Sequence, residues 1–323
     1  MDITEFELSL NNWGKNKIPF LFLVDFEMEM PRAWPLNEVP DDILFSISNT
    51  TDITLHPTSS LKDTVVEVQP IRQEEYRTKF NVVKKNTLQG NSYLTNLTIK
   101  TPFAIHQPLH EIFHQADAKY KFCWKEKFLV FSPETFVQIM DGKIYSFPMK
   151  GTIDASLPGA EEQLMGDAKE LSEHVTIVDL IRNDLSSVAT HVQVVRFRYL
   201  EKVKTNNKNL LQTSSEIVGE LPKDYLSKLG TILVSLLPAG SISGAPKRET
   251  IRIIEEAEGE KRKYYTGVMG IFDGEKIDSA VMIRFIEQQG DQFYYRSGGG
   301  ITSQSELEKE YQEALDKIYV PFY

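Results

Sequence analysis

Residues 128–147 read FLVFSPETFVQIMDGKIYSF and predict three short strands in close succession. The strands are expected over Phe128–Phe131, Phe136–Met140 and Lys143–Phe147. The dipeptide Asp141-Gly142 between the last two is typical of a tight hairpin turn. Strands that follow one another so directly, with no helix between them, favour an antiparallel sheet over a parallel one.

The remaining strands and helices follow no regular order. The first part of the chain, roughly 1–70, is predicted to form strands and loops, with strands at Phe20–Phe26 and Val65–Val68. Helices are predicted over Glu74–Gln89, Gly159–Asn183, Leu226–Leu237 and the later part of Ser243–Glu258, and strands over Ser92–Lys100, Val192–Lys202, Gly267–Phe272, Ile277–Phe285 and Phe293–Ser297. Ser303 and Glu306 form an S-x-x-E pattern, which predicts a capped last helix. Because strands and helices do not alternate strictly, the pattern favours an α+β fold with mostly antiparallel sheet.

Composition excludes several classes of protein. Of the 323 residues, 41% are hydrophobic and 25% charged, which is ordinary for a globular protein and excludes disorder, collagen and coiled coil. The 36 Lys and Arg against 46 Asp and Glu give a net charge of −10, which argues against nucleic acid as a partner. The N-terminus lacks the apolar segment of a secretion signal, and the apolar run Ile18–Phe26 is too short to span a bilayer. A single cysteine, Cys123, allows no internal disulfide. We therefore expect a cytoplasmic protein without a membrane partner.

Two pairs of glutamates are candidates for a metal site. Glu170 and Glu173 lie three residues apart on one predicted helix, and Glu310 and Glu313 lie three apart on another, so each pair shares a helix face. If the two helices meet, four carboxylates converge and their repulsion requires a cation, for which Mg²⁺ is suited. Either pair alone is more often a solvated helix surface, and the residues by themselves leave this alternative open.

Two glycine-rich segments could present backbone N–H groups to an anion. They are Pro238–Lys247 (PAGSISGAPK) and Ser297–Ile301 (SGGGI). Neither matches the Walker A pattern or the G-x-G-x-x-G pattern of dinucleotide sites. Tight turns without a ligand are the alternative.

A lysine and a glutamate are candidates for catalysis. Lys150 in PMKGT could be a nucleophile if it is partly buried with a lowered pKa, although a lysine in such a setting is usually just exposed. Glu134 in SPE could be a general acid if it faces the same pocket. The six histidines form no recognisable Ser-His-Asp or Cys-His arrangement. The charges of Asp179–Asp184 (DLIRND) are expected to cap a helix end and to form ion pairs.

The order of nine segments carries a family resemblance from about Gly90 onward. They are SYLTNLT, SPETF, PMKGT, DAKELSEHVTIVDLIRNDL, LLPAGSISGAPK, KRKYYTGVMG, AVMIRF, SGGGI and EKEYQEALDK. In this order the chain resembles the chorismate-utilising enzymes, which include anthranilate, aminodeoxychorismate, isochorismate and salicylate synthases. The resemblance implies one chorismate-binding domain over 1–323, with a shortened N-terminal region at about 1–70. It also implies two β-sheets packed face to face with helices outside.

The resemblance also implies roles for individual residues. Glu173 and Glu313 match the positions that hold Mg²⁺ in the family, and Glu170 and Glu310 match neighbours that support the ion, directly or through water. Tyr265 and Arg284 match the residues that bind the carboxylate of the enolpyruvyl arm. The remaining substrate-binding positions are Gly151, Thr152, Gln212, Ser243, Gly298, Gly299 and Gly300.

Three positions discriminate within the family. Lys150 stands where anthranilate synthases have alanine, and Gln212 stands where they have histidine. Leu94 occupies the position of the lysine base of isochorismate and salicylate synthases. The chain therefore resembles most closely the aminodeoxychorismate synthase branch, component I, which leads to 4-aminobenzoate and folate.

That branch implies a covalent mechanism and two partners besides chorismate. Lys150 would add to the ring at C2 while Glu134 protonates the departing C4 hydroxyl. Ammonia would then add at C4 and displace the lysine. Because the chain carries no recognisable glutaminase, the ammonia is expected from a separate glutamine amidotransferase subunit or as free ammonia. The alternatives are anthranilate synthase component I and a non-catalytic binding or scaffold protein of the same fold.

Overall fold

The computed structural model describes residues 1–47, 50–51, 67–204 and 209–321, and its strands form two nine-stranded sheets. Sheet A contains β1 (Phe20–Val24), β2 (Arg32–Pro35), β9 (Thr135–Met140), β10 (Lys143–Ser146), β11 (Met149–Asp154), β12 (Thr190–Lys204), β13 (Asn209–Glu220), β15 (Val268–Phe272) and β16 (Ile277–Val281). Sheet B contains β3 (Ile43–Ile47), β4 (Thr50–Thr51), β5 (Glu67–Val68), β6 (Leu94–Ala104), β7 (Tyr120–Trp124), β8 (Phe128–Ser132), β14 (Gly244–Ala245), β17 (Phe285–Gln289) and β18 (Gln292–Ile301).

The strand order shows how far each sheet departs from chain order. Sheet A runs β11-β13-β10-β9-β16-β15-β1-β2, with β12 paired to β13, and sheet B runs β14-β6-β18-β17-β8-β7-β3-β4, with β5 paired to β6. The strand pairs of the described residues are antiparallel. The prediction of mostly antiparallel sheet is therefore confirmed.

Helices cover the outer faces of the two sheets. They are α1 (Ile3–Lys15), α2 (Gln73–Leu88), α3 (Leu109–Gln115), α4 (Ala160–Gly166), α5 (Ala168–Ser186), α6 (Leu229–Ser235), α7 (Gly240–Ser243), α8 (Lys247–Glu258) and α9 (Leu307–Asp316), with 3-10 turns at Leu36–Glu38 and Tyr225–Lys228. Side chains of α1, α5 and α6 pack on sheet A, and those of α2, α3 and α9 pack on sheet B.

The inner faces of the two sheets share one apolar core. Leu23 and Met269 of sheet A are buried in the same cluster as Phe45, Phe122 and Phe128 of sheet B. Burial of large apolar side chains between two layers is the main source of stability in such an architecture. The predicted α+β fold, with two sheets packed face to face and helices outside, is confirmed.

The hairpin predicted at Asp141-Gly142 joins β9 to β10. Both residues have positive φ, 53° and 72°, as the two-residue turn between twisted strands requires. Met140 pairs directly with Lys143 across the turn.

The prediction of only strands and loops over about 1–70 is wrong for the first residues, which form α1. The Asp2 carboxylate caps the helix by accepting a hydrogen bond from Glu5 N, at 2.9 Å. Phe6, Leu10 and Gly14 recur every four residues and are buried, which is the 3.6-residue period of a helix in an otherwise polar segment. Because few apolar residues recur at this spacing, the segment has only a weak hydrophobic pattern in the sequence.

Three further element predictions need correction. The helix predicted over Gly159–Asn183 is two helices, because Asp167 ends α4 and caps α5 by accepting from Glu170 N at 2.9 Å. The strand predicted over Ile277–Phe285 is β16 in one sheet and β17 in the other. The predicted capping box is absent. Glu306 occupies the N-cap position of α9, and its side chain makes no capping hydrogen bond to the helix backbone.

Two other predicted elements differ in extent. The helix predicted over Leu226–Leu237 begins as a 3-10 turn and is α-helical only over Leu229–Ser235. The strand predicted at Val65–Val68 is described only at Glu67–Val68, and its first two residues lie outside the described part of the chain.

One helical stretch of the described residues, Tyr225–Ser243, is long and apolar enough to cross a membrane by length and composition alone. However, 56% of its most apolar window is buried inside the protein. Leu229, Ile232 and Leu233 belong to the core beside sheet A, as in the core helix of a globular protein. Cytoplasmic location stays a prediction.

Candidate active site

A cavity of about 180 Å³ lies where the two sheets meet α5, α7 and α9. Among the predicted catalytic, substrate-binding and metal-binding residues, those that line it are Glu134, Lys150, Glu173, Ser243, Tyr265, Arg284, Gly298, Gly299 and Gly300. These residues come from seven separate segments of the chain. The fold therefore brings together acidic, basic and glycine motifs that are distant in sequence.

Two chain crossings between the sheets position an acid and an arginine. Glu134 lies where the chain passes from β8 in sheet B to β9 in sheet A, and Arg284 lies where it returns from β16 to β17. Hydrogen bonds tie each crossing to the other: Val281 N donates to Glu134 O at 3.1 Å, and Phe131 N donates to Arg284 O at 3.0 Å. Arg284 has φ 55°, the left-handed conformation, at this sharp change of direction.

The surroundings of Glu134 favour the protonated form of its carboxyl group. Burial raises the pKa of Glu134, while the hydrogen bond from Ser241 and the charge of Arg284 oppose the rise without cancelling it. Ser241 Oγ donates to Glu134 Oε1 at 2.5 Å. A buried carboxyl group with a raised pKa is suited to general acid catalysis.

Arg284 and Tyr265 form a buried site for an anion. Both line the cavity, and burial raises the pKa of the Tyr265 hydroxyl to about 12, which keeps it a neutral donor. The Arg284 guanidinium lies 5.3 Å from the centre of the Tyr319 ring, and its buried Nε has no hydrogen-bond partner among the described residues. An arginine with a free donor in a cavity is suited to bind a carboxylate.

Lys150 projects from β11 into the cavity and is paired with Glu173. Its Nζ lies 2.7 Å from Glu173 Oε2, and 27% of its side chain is exposed. Burial lowers the pKa of Lys150, but the charge and hydrogen bond of Glu173 outweigh it, so the pKa is raised. The expectation of a lowered pKa is therefore wrong for this arrangement. The contact with Glu173 therefore favours the charged ammonium form of Lys150 over the free amine.

The SGGGI segment is neither a loop nor a turn, because it lies within β18. Its pairing with β6 places Gly299 opposite Leu97 and Gly300 opposite Asn96. A Cβ at Gly299 would lie 3.3 Å from Glu313 Oε1 and 3.8 Å from Glu310 Oε2. A Cβ at Gly300 would lie 2.8 Å from Leu94 Cδ1 and 3.8 Å from Lys150 Nζ. Gly299 therefore leaves room for the Glu313 carboxylate, and Gly300 leaves room for the Leu94 side chain.

The two glutamate pairs converge on this region from α5 and α9. Glu313 Oε1 accepts from Lys317 Nζ at 2.7 Å, as Glu173 accepts from Lys150. Burial raises the pKa of Glu170, with Lys150 opposing and Glu173 adding to the rise, and burial likewise raises the pKa of Glu310. Each α-helical pair thus contributes one carboxylate bound to a lysine and one that is partly desolvated.

The donor set fits Mg²⁺ in its chemistry. All four candidate groups are carboxylates, and Glu170 Oε2 is buried without a hydrogen-bond partner in the part of the chain that the structure describes. Within the described ranges, no three His, Cys, Asp or Glu side chains are arranged to hold a metal. Glu173 and Glu313, which face lysines, would have to exchange these partners for a cation.

Other predicted site residues do not line the cavity. Gly151 and Thr152 lie on β11, and Thr152 is exposed and pairs with Gln212 of β13. A Cβ at Gly151 would lie 3.0 Å from Glu170 Oε2, so this glycine contacts the acidic group instead. Roles of these residues in substrate binding stay predictions.

Sequence reasoning missed Lys317 and Ser241, which both line the cavity. Lys317 Nζ also donates to Gly298 O at 2.9 Å, and burial lowers its pKa. Its position four residues after Glu313 on α9 is the usual spacing of a helical ion pair, which could have indicated it. Nothing in the pattern around Ser241 marks it as a partner of Glu134.

A buried ion pair supports the floor of the cavity. Arg262 and Glu258 approach to 2.6 Å and their side chains are 1% and 2% exposed. Arg262 also donates to Ile242 O at 2.9 Å and to Asn96 O at 2.6 Å, thereby joining two cavity-lining segments. Glu258 in turn accepts from Thr98 N at 2.8 Å.

Replacing Glu258 by Gln should lower the free energy of unfolding by about 3–5 kcal/mol, because it leaves the charge of Arg262 buried without a counter-ion. Urea denaturation followed by tryptophan fluorescence measures the loss. Glu74→Gln, which removes an exposed partner of Arg77, is the control and should leave the urea midpoint nearly unchanged. Equal urea midpoints for Glu258→Gln and Glu74→Gln would show that the buried ion pair does not stabilise the fold.

Comparisons with known proteins place these features in a family. The profile of the family described as chorismate binding enzyme matches residues 36–322. A Haemophilus influenzae protein named "Uncharacterized PabA-like protein" is 49% identical over 96% of this chain and 94% of its own length. A Pasteurella multocida protein of similar name is 48% identical over 99% of both chains. Anthranilate synthase component 1 of Aquifex aeolicus is 35% identical over 58% of this chain and 38% of its own length.

Solved structures share the fold at lower identity. The menaquinone-specific isochorismate synthase of Escherichia coli matches with a TM-score of 0.73 and 17% identity, over 97% of this chain and 80% of the other. A 2,3-dihydroxybenzoate-specific isochorismate synthase of Bacillus anthracis, described as putative, matches with a TM-score of 0.71 and 19% identity, over 98% and 88%. Both matches include the N-terminal region, which the sequence resemblance covers weakly.

Proposed function

Because the chain belongs to the chorismate-binding enzymes, we propose that it aminates chorismate to 4-amino-4-deoxychorismate, as component I of an aminodeoxychorismate synthase. The observation that carries the proposal is that Lys150 and Glu134 line one cavity with the anion site of Arg284. A nucleophile, a proton donor and a carboxylate site are what this reaction requires. The product would serve 4-aminobenzoate and folate synthesis.

In the first half of the proposed reaction, Lys150 replaces the ring hydroxyl. Its amine forms a C–N bond at C2, the ring double bond shifts, and the C–O bond at C4 breaks. Glu134 gives its proton to the departing oxygen, so the leaving group is water and not hydroxide. Arg284 and Tyr265 bind the enolpyruvyl carboxylate throughout, and neither half of the reaction breaks the bond between that arm and the ring.

In the second half, ammonia replaces Lys150. The nitrogen of ammonia bonds to C4, the double bond shifts back, and the C2–N bond to Lys150 breaks, which restores the free lysine. The Glu134 carboxylate is placed to accept the proton that the new C4 ammonium group loses. Dividing one allylic substitution into two steps is the usual advantage of covalent catalysis.

Mg²⁺ would be held by Glu173 and Glu313, with Glu170 and Glu310 beside them. When bound, the ion supplies the positive charge that neutralises the ring carboxylate of the substrate. Lys150 loses its ion pair if Glu173 turns to a cation, and burial then favours its neutral amine.

The ammonia is proposed to come from a glutamine amidotransferase on a separate chain. Glutaminases of the cysteine type need a reactive thiolate, and the one cysteine of this sequence is Cys123. It is fully buried, and burial raises its pKa to about 12. Such a thiol is an inert core side chain.

Two alternatives are separated from this proposal by particular residues. Anthranilate synthase component I is favoured by the 35% identity to such enzymes, but Lys150 stands where the resemblance leads us to expect alanine. A non-catalytic scaffold has no reason to keep Lys150, Glu134 and Glu173 around one cavity.

The purified chain with chorismate, Mg²⁺ and ammonium should yield 4-amino-4-deoxychorismate, identified by mass spectrometry, and no fluorescent anthranilate. The rate should rise from pH 7 to 9, because only about 1% of ammonium is free base at neutral pH. Glutamine should support turnover only when an amidotransferase partner is added.

The control is the same mixture without the chain. Anthranilate as the sole product would favour the first alternative, and the absence of any turnover would favour the scaffold. Glutamine-dependent turnover by the chain alone would contradict the proposed partner.

A further inference from the structure

Arg284 differs from the buried arginines Arg198, Arg262 and Arg296 in the partners of its side chain. Arg262 and Arg296 each lie close to a carboxylate, at 2.6 and 2.9 Å, and Arg198 donates to two backbone carbonyl oxygens, both at 2.7 Å. Within the described part of the chain, no carboxylate or carbonyl oxygen forms an ion pair or hydrogen bond with the Arg284 guanidinium. Its charge and its donors are therefore available to a ligand in the cavity.

The ring of Tyr319 packs on the Arg284 guanidinium. The distance from the guanidinium carbon to the ring centre is 5.3 Å, which is within the range of a cation–π contact. An aromatic face attracts the guanidinium without presenting an anion that would compete with a bound carboxylate. The contact can therefore orient Arg284 and leave its hydrogen-bond donors free.

We propose that Tyr319 is a positioning residue, whose ring holds Arg284 in the orientation that binds the carboxylate of the enolpyruvyl arm. This inference rests on the proposed function and deepens it. It adds a determinant of substrate recognition that is outside the cavity wall, because Tyr319 does not line the cavity.

The chain that follows α9 presents Tyr319 to the arginine. Ile318 and Val320 are partly buried and pack on the apolar core of sheet B, whereas the side chain of Tyr319 between them is 42% exposed. Successive side chains of an extended segment point in opposite directions. The two apolar neighbours therefore hold the segment on the core and turn Tyr319 the other way.

Two hydrogen bonds fix this segment through its backbone. The Tyr295 hydroxyl donates to Tyr319 O at 2.8 Å, and Asp117 N donates to Pro321 O at 2.8 Å. Both acceptors are main-chain carbonyl oxygens. The side chain at position 319 can therefore be replaced without removing the contacts that hold the segment in place.

Loss of the ring should weaken the binding of the arm carboxylate selectively. Without the ring, the long Arg284 side chain is free to occupy other rotamers, and ordering it again on binding costs affinity. A ligand that has only a ring carboxylate makes no use of Arg284. It should bind equally well with or without the Tyr319 ring.

The test is Tyr319→Leu, which keeps an apolar side chain and removes the aromatic face. The probes are 3-(carboxymethoxy)benzoate, which has a ring and an arm carboxylate, and 3-methoxybenzoate, which lacks the arm carboxylate. Calorimetric titration in the presence of Mg²⁺ should show that the wild type binds the dicarboxylate more tightly. In the variant the Kd of the dicarboxylate should rise about threefold to tenfold, the scale of a cation–π contact, and that of 3-methoxybenzoate should stay unchanged. The KM for chorismate should rise with the dicarboxylate Kd while kcat stays at the wild-type value, because the lost contact is made equally in the ground state and the transition state.

Three further variants support the test. Tyr319→Phe keeps the ring and should bind both probes as the wild type does, and Tyr319→Gln, which also lacks a ring, should behave as Tyr319→Leu. Tyr294→Leu is the matched control, because it removes a ring that lies 4.1 Å from Lys100 Nζ and does not line the cavity. It should leave both Kd values unchanged. Thermal unfolding verifies that each variant is folded.

The outcomes separate this inference from the proposed function. An unchanged Kd of the dicarboxylate in the folded Tyr319→Leu and Tyr319→Gln variants would overturn the role of Tyr319. An equal loss for both probes, or an equal loss in Tyr319→Phe, would overturn it as well. Absence of amination by the wild-type chain, with the expected pattern of probe binding, would overturn the proposed function and leave Tyr319 as the residue that positions Arg284.

Discussion

Replacing Glu173 by Gln should reduce chorismate turnover by more than about 100-fold, since loss of an outer partner of a metal ligand already costs 10–100-fold. The substitution keeps the shape of the side chain and removes its charge, so the fold should persist. It removes both a proposed ligand of Mg²⁺ and the ion-pair partner of Lys150, which lies 2.7 Å away. Steady-state kinetics and calorimetric titration with Mg²⁺ measure the two effects.

Glu313→Gln separates these two roles of Glu173. Its carboxylate pairs with Lys317, so the substitution leaves the Lys150–Glu173 contact in place. Loss of turnover and of Mg²⁺ affinity in both variants is the expected result. Loss of turnover and of Mg²⁺ affinity in the Glu173 variant alone would mean that Glu173 acts only as the ion-pair partner of Lys150. It would contradict the proposed metal site. Glu170→Gln should cause a milder loss, because this residue is proposed to support the ion from beside it.

Replacing Lys150 by Ala should lower the formation of 4-amino-4-deoxychorismate by about 10³-fold or more, which is the scale on which loss of a covalent nucleophile is felt. The cavity keeps its remaining charges, so chorismate should still bind. Ammonia can then add directly at C2, and a small yield of anthranilate is expected. Product analysis by mass spectrometry and anthranilate fluorescence follow the two products separately.

Lys169→Ala is the matched control for this experiment. Lys169 also approaches Glu173, at 3.6 Å, but its side chain is half exposed and does not line the cavity. Its removal should change turnover little. An unchanged rate and product for Lys150→Ala would show that Lys150 is not the nucleophile, and an equal loss in both variants would reduce its role to neutralising Glu173.

Local sequence patterns predicted part of the strands and the antiparallel character of the sheets, whereas β7 and β13 were missed. The short strands around Asp141-Gly142 are bounded by strong turn signals, and the β-rich run Val192–Lys202 lies within β12. The helix α1 was missed because only Phe6, Leu10 and Gly14 of its buried face carry the helical period. The boundary between β16 and β17 depends on which sheet each strand joins, and no local pattern records this.

Part of the site could be read from residue types and spacing. The two glutamate pairs, Lys150 and Glu134 were recognisable as chemistry-bearing groups, and the family resemblance indicated that they act together. The pairing of Lys150 with Glu173, which reverses the expected pKa shift, depends on a distance between β11 and α5. Such a distance is set by the packing of the whole α5 helix, so spacing along the chain does not reveal it.

Glu134 and Arg284 both lie where the chain crosses from one sheet to the other. The distance between the proposed acid and the arginine therefore depends on how the two sheets pack against each other. Each residue is the joint between a strand of sheet A and a strand of sheet B. A small slide of one sheet over the other would therefore change how far the proton donor stands from the bound carboxylate. Side chains in the shared core, such as Leu23 and Phe45, control that slide although neither lines the cavity. Apolar positions that never meet the substrate thus help to set the geometry of the site.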